Sequence, residues 1–228
     1  MIFVNRDVIP GLVEPTGLTI DINRLTQEID ALQSTHGFDS KSMEHTVDGQ
    51  KTFNLNHPEK LPSDIKTTKE LFVSALCRGE NEIQQLFNLS TKDFTQFNEA
   101  VTKGYLWEVI CAVTDWHNAN NSHLGKISRI HCAYLGPGAG FQLHKDLHTT
   151  LRYHIALATN KFCTIVTVSD LDSNEAYTTH IPADGKVWLL DTRVWHTALN
   201  LVPTMLSRQR RRLLMLPAIR GHLIFSVT

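Results

Sequence analysis

His144-Lys145-Asp146 sets an imidazole and a carboxylate two residues apart. In an extended strand side chains alternate between faces, so His144 and Asp146 point the same way and Lys145 points away. Such a pair supplies two of the three ligands of a 2-His-1-carboxylate triad, which holds Fe(II) on one face and leaves positions open. The third ligand must come from elsewhere. His196 is the candidate, because GKVWLLDTRVWH (185–196) reads as a Gly turn, an apolar strand and a short connection ending in that His. A chain with 12 histidines produces such a triplet by chance, so the surroundings carry the weight. His57-Pro58-Glu59 has the same spacing, but its central Pro and lack of alternation speak against a metal role.

A second chemical signal is basic. Arg208 to Arg212 lead into the apolar LLMLP, with Arg210 and Arg212 at the strand entrance. A guanidinium inside a β-sandwich needs an anionic partner, because an unpaired buried charge is costly. Its planar fork suits a carboxylate. Arg152 and His154 add donors on one strand face after the metal triplet. A metal at one end and a cation at the other fit a dicarboxylate such as 2-oxoglutarate, whose 2-oxo acid end would chelate Fe(II).

Elements must bring these groups together. Residues 1–19 read as extended, broken by Pro10-Gly11 and Pro15. Ile22, Leu25, Ile29 and Leu32 then fall at helical spacing. Residues 34–62 read as a long loop. A helix is expected from Ser63 or Asp64 to Cys77, ended by Gly79. Ser90-Thr91-Lys92-Asp93 resembles a capping box before Phe94, Phe97, Ala100 and Val101, again at helical spacing. Residues 105–116 are helical and apolar, and 118–122 form a turn. From Ile127 the period drops to two, giving short strands at 127–135, 140–144, 151–158, 162–169, 177–182, 186–191, 195–201 and 212–219. That series predicts an α+β chain. Residues 127–228 form a double-stranded β-helix, a cupin-like jelly-roll, and residues 1–126 a helical region and cover packed on it as one unit.

Composition narrows the partners. The net charge of -1 supplies no field for nucleic acid or an anionic membrane. No apolar run approaches a membrane span, and the N-terminus lacks the basic and apolar regions of a signal peptide. Cys77, Cys111, Cys132 and Cys163 make no C-x-x-C pair and read as reduced thiols of a cytoplasmic protein.

Together the motifs L-x-P-G-x-x-x-x-x-H (Leu135 to His144), R-x-H (Arg152 to His154), G-K-V-x-x-x-D-x-x-x-x-H (Gly185 to His196) and R-L-L (Arg212 to Leu214) resemble the aspartyl/asparaginyl β-hydroxylase and bacterial proline hydroxylase family. The resemblance spans about 127–219. It implies an Fe(II)- and 2-oxoglutarate-dependent dioxygenase that hydroxylates an unactivated C–H of an amino acid, free or within a peptide. His144 and His196 would be iron ligands, and Arg152, His154 and Arg212 would bind the cosubstrate. Asp146 departs from the animal branch, which has glycine there, and completes the triad as in the proline hydroxylase branch. The segment after His196 is longer than in the family, which leaves Arg208, Arg210 and Arg211 as substitutes for Arg212.

Two other classes stay open on the sequence. A cupin without 2-oxoglutarate would recruit further histidines, such as His131, His148 or His180. A non-catalytic jelly-roll would bind a ligand without turnover.

Overall fold

The computed structural model describes residues 2–5, 12–35, 50–58, 94–97, 99–146, 149–168, 172, 175–202 and 219–228. In chain order the elements are β1 (Ile2–Asn5), β2 (Val13–Thr19), α1 (Ile22–Thr35), β3 (Gln50–Asn54), β4 (Asn56–Pro58), β5 (Phe94–Phe97), α2 (Tyr105–Asn120) and β6 (Ile127–Leu135). Then follow β7 (Leu151–Ala158), β8 (Cys163–Val168), β9 (Glu175–Thr179), β10 (Lys186–Asp191), β11 (Trp195–Asn200) and β12 (Arg220–Val227).

Two sheets face each other. The larger runs β2-β10-β7-β12-β6-β3 and the smaller β1-β9-β8-β11, while β4 and β5 form a separate pair. From β6 onward the chain passes back and forth between the two sheets, which is the winding of a double-stranded β-helix. The expected strand at 140–144 is reduced to two bridges, Gly140 to Leu199 and His144 to His196. These still tie the segment to β11 in the smaller sheet.

The period-two pattern explains which faces are buried. On β7, Leu151, Tyr153 and Ile155 join the core under the helices; on β12, Leu223, Phe225 and Val227 do so. Leu25 and Ile29 of α1 and Leu106, Val109, Ile110 and Val113 of α2 cover that face. The alternate positions point between the sheets: Arg152 and His154 on β7, and Arg220, His222, Ile224 and Ser226 on β12. Ala156, Ile165, Trp188 and Leu190 form an apolar cluster on that inner side.

Polar contacts fix the helices. Asp21 caps α1, its Oδ1 accepting from the N–H groups of Asn23 and Arg24 at 3.1 Å each. Glu28 of α1 reaches the start of α2 and accepts from the N–H groups of Tyr105 and Leu106 at 2.8 and 2.7 Å. That carboxylate satisfies donors which a helix start leaves orphaned, and complements its dipole. Gly185 has φ +83, and a Cβ there would meet the carbonyl oxygen of Ile20. Glycine is therefore required where β10 begins beside the end of β2.

Several expectations need correction. Within the supposed loop 34–62, β3 and β4 are strands, and β3 pairs with β6. The polar sequence of β3 carries no clear period because it is an edge strand. Phe94 and Phe97 lie on β5, paired with β4, and not on a helix; cross-strand pairing outweighs an i, i+3 spacing of two aromatics. The last strand is Arg220–Val227, inside the larger sheet between β7 and β6. The expected helix 63–77, the box at 90–93, Cys77, and the run 208–212 with Arg212 lie outside the described residues. The strands 127–135, 151–158 and 186–191 coincide with β6, β7 and β10. Cys111, Cys132 and Cys163 are free. Among the described residues no helix is long and apolar enough to cross a membrane.

Candidate metal centre

His144, Asp146 and His196 converge. One ligand atom from each can be chosen so that all lie within 4.8 Å of one another. His144 Nε2 is 3.5 Å from Asp146 Oδ1, and the two imidazole centroids are 4.5 Å apart. The backbone enforces this meeting. His144 N donates to His196 O at 3.1 Å and His196 N to His144 O at 2.8 Å. Asp146 N is held by Thr192 O at 3.1 Å.

Ring orientation is also set. His144 Nδ1 lies 2.7 Å from Gln142 O and His196 Nδ1 lies 3.0 Å from Val194 O. A carbonyl only accepts, so both rings carry their proton on Nδ1 and present Nε2 as a lone pair. This is the outer-shell arrangement that prepares an imidazole for metal binding. His196 Nε2 is buried and has no hydrogen-bond partner among the described residues. Two aimed imidazole nitrogens, one of them orphaned, and a carboxylate fit a ferrous ion. Lys145 takes no part: its ammonium sits 5.5 Å from the Trp195 ring centroid, and its side chain is exposed.

Charge balances differently on each ligand. The contact with Asp146 is the main cause that raises the His144 pKa. Burial would raise the Asp146 carboxyl, but His144, Arg152 and His196 together hold it below the usual range. Burial lowers His196. Arg152 Nη2 stands 2.8 Å from Asp146 Oδ2, close enough for an ion pair but poorly angled for a hydrogen bond. Arg152 thus adjoins the carboxylate of the candidate triad.

Deeper inside, the interior is basic. His154, His222 and Arg220 are 4%, 1% and 3% exposed, and the rings of His154 and His222 are in edge contact at 5.5 Å. Among the described residues, neither nitrogen of either ring, nor Nη2 of Arg220, has a hydrogen-bond partner. Burial pushes both histidines well below their ordinary range, and the Arg220 charge pushes further. Burial brings Arg220 itself down to about 10. Buried polar groups are nearly always paired, so this cluster is a candidate site for a ligand that brings its own acceptors.

Of the sequence candidates, the structure brings His144, Asp146 and His196 together, with Arg152 beside them and His154 next inward. Arg220 and His222 escaped the sequence reading. Their signal was an R-x-H in an apolar run, the same spacing as Arg152-x-His154. Of the histidines considered for a different cupin, His131 and His180 do not join the metal cluster, and His148 lies outside the described residues. His180 Nδ1 instead meets Cys163 O at 2.8 Å.

The model of the Aspartyl/Asparaginyl beta-hydroxylase family matches residues 80–220, more than half the chain, and the chain belongs to that family. No curated protein matches the sequence. Among solved structures, a 2OG-Fe(II) oxygenase family oxidoreductase from Burkholderia pseudomallei is similar at 11% identity and a TM-score of 0.42, over 58% of this chain and 59% of that one. This chain therefore spans about 59% of that protein. A Pseudomonas putida prolyl-4-hydroxylase is similar at 12% identity and a TM-score of 0.43, over 94% and 90%. IDO from Bacillus thuringiensis is similar at 12% and 0.44, over 92% and 90%. The family match, and not these distant likenesses, carries the assignment.

Proposed function

We propose that this protein hydroxylates an unactivated C–H of an amino acid, free or within a peptide, using O2, Fe(II) and 2-oxoglutarate. The observation that carries the proposal is the meeting of His144, Asp146 and His196 at the mouth of a basic interior. The bound iron and cosubstrate supply the oxidising chemistry; the protein supplies geometry and a shielded site. His144, Asp146 and His196 hold the metal. Arg152 steadies Asp146 and faces the acid end of the cosubstrate.

The distal carboxylate belongs with Arg220, supported by His154 and His222. The resemblance points to Arg212 for that role. Arg220 is preferred because it is buried on the strand next to β7, with Nη2 orphaned among the described residues, and its charge acts on His154. Three free cysteines fit a reducing, cytoplasmic compartment.

Anaerobic titration of the Fe(II)-loaded protein with 2-oxoglutarate tests this. A weak visible charge-transfer band, followed in air by succinate release that rises with substrate, is the expected result. Metal binding with no such band would point to a cupin without the cosubstrate.

A further inference from the structure

The connection from β10 to β11 does more than deliver His196. Asp191, the Asp of the G-K-V-x-x-x-D-x-x-x-x-H spacing, ends β10 and is 7% exposed. It stands outside the cluster of His144, Asp146 and His196. Its carboxylate turns instead to Arg193. Oδ1 accepts from the backbone N–H of Arg193 at 2.9 Å and from Nε at 3.0 Å, and Oδ2 accepts from Nη2 at 2.7 Å. The first contact is the local turn in which an Asp side chain binds the amide two residues on. The guanidinium closes over the same carboxylate from the solvent side, the Arg193 side chain being 55% exposed.

The amide that Asp191 grips belongs to the peptide between Thr192 and Arg193. A peptide is planar, so its N–H and its C=O turn together. The carbonyl of that plane is Thr192 O, which accepts from Asp146 N at 3.1 Å. One rigid plane therefore joins the carboxylate of Asp191 to the main chain of Asp146. Thr192 braces the plane from its other side. It is fully buried, its N–H donates to Thr150 O at 3.2 Å and its Oγ1 to Thr149 O at 2.9 Å. His144 and His196 fix each other through a paired bridge. Among the described residues Asp146 shares in no bridge, and the Thr192–Arg193 plane is its main-chain tie.

We infer that Asp191 is a positioning residue of the candidate metal site. Through the Thr192–Arg193 peptide it sets where Asp146 stands, and Arg193 keeps its carboxylate turned to that peptide. The inference rests on the triad reading given above. It gives the Asp of the sequence spacing a role in holding a ligand, not in being one.

The test is Ni(II) binding to the untagged full chain, read by calorimetry. Ni(II) binds nitrogen and oxygen ligands more tightly than Mn(II) or Fe(II), which keeps weakened variants within range. Asp191→Ala should lower affinity by roughly 10- to 100-fold, the cost of losing an outer-shell partner. Asp191→Asn keeps an Oδ1 acceptor for the Arg193 amide and should recover most of that loss. In the Asp146→Ala background, Asp191→Ala should change affinity by less than about two-fold, because a residue that acts only through Asp146 has nothing left to act on. A residue that merely supports the fold would weaken binding in both backgrounds. Should Asp191→Ala not fold, Thr192→Val removes the other brace of the same peptide, and the same cycle with Asp146→Ala is read on it. Unchanged affinity in Asp191→Ala, an equal loss with and without Asp146, or a loss that Asp191→Asn fails to relieve overturns the inference. If Asp146→Ala itself leaves affinity unchanged, the triad reading falls and the inference with it. A loss in Asp146→Ala with none in Asp191→Ala overturns the inference alone.

Discussion

His144 and His196, 52 residues apart in the numbering, exchange both backbone hydrogen bonds across a single antiparallel bridge, at 3.1 and 2.8 Å. The bridge fixes the spacing of the two proposed metal ligands through main chain, so their side chains would need little adjustment to bind. Asp146 enters the same site two residues beyond the bridge, tied by its own N–H to Thr192. The three candidate ligands are therefore held together by main-chain contacts before any metal binds.

Asp146→Ala should lower metal affinity by more than roughly 100-fold, beyond what outer-shell changes cost. Substrate-dependent succinate release should disappear with it. Calorimetry with Mn(II) and a succinate assay read the two effects separately. Near-normal turnover in this variant would refute the triad.

Arg220→Gln should raise the 2-oxoglutarate concentration required for half-maximal activity by roughly 10- to 150-fold. That is the range expected from losing about 1.5–3 kcal/mol of hydrogen bonding to a charged group. Metal affinity should stay within a factor of about two, because Arg220 touches no metal ligand. Arg212→Gln should leave the cosubstrate requirement unchanged. The reverse pattern would return the clamp to Arg212.

The same pair of arginines marks what the sequence can and cannot disclose. β6 and β7 were legible because apolar residues recur along them at period two, and β10 because a short apolar run follows the Gly185 turn. The candidate site was legible in part because His144 and Asp146 share one local spacing. β12 was not, because RGHLIFSV follows another apolar run and shows no alternation: both its faces are buried. Period two vanishes when a strand is covered on both sides. The β4–β5 pair was hidden for a different reason. Its strands have three and four residues, too short for any period to outweigh the spacing of Phe94 and Phe97.

In the metal-free protein, stability should fall as pH drops below about 6.5, the ordinary histidine pKa. His131, His154 and His222 are buried and held well below that value. The unfolded chain then takes up protons that the folded chain refuses, so the stabilising effect is complete above about 6.5 and is lost on acidification. Each histidine contributes up to about 1.4 kcal/mol per pH unit. His144 works in the opposite sense, since Asp146 raises its pKa, and so offsets part of the slope. Urea midpoints between about pH 7.5 and 5.5 measure this. His222→Gln should flatten the curve; a curve of unchanged slope would contradict the burial of that imidazole.

Tyr153→Phe should destabilise the fold by about 1–3 kcal/mol, the cost of stranding a buried polar group. His117 is fully buried on α2. Its Nε2 lies 3.0 Å from Gly125 O, a pure acceptor, so Nε2 carries the proton and Nδ1 must accept. Tyr153 Oη, 2.9 Å away, is the donor to it, and in turn accepts from Asn121 Nδ2 at 3.1 Å. Removing the hydroxyl leaves both Nδ1 and the amide without this partner. Tyr153 stands between Arg152 and His154 on β7, facing the helices while they face the interior. The network therefore anchors the strand that carries them. Calorimetric melting should show Tm lower by roughly 2–4 °C for each kcal/mol lost. In the double variant with His117→Leu the penalty of Tyr153→Phe should shrink, because the stranded acceptor is gone. Full additivity of the two changes would show that the hydroxyl acts elsewhere.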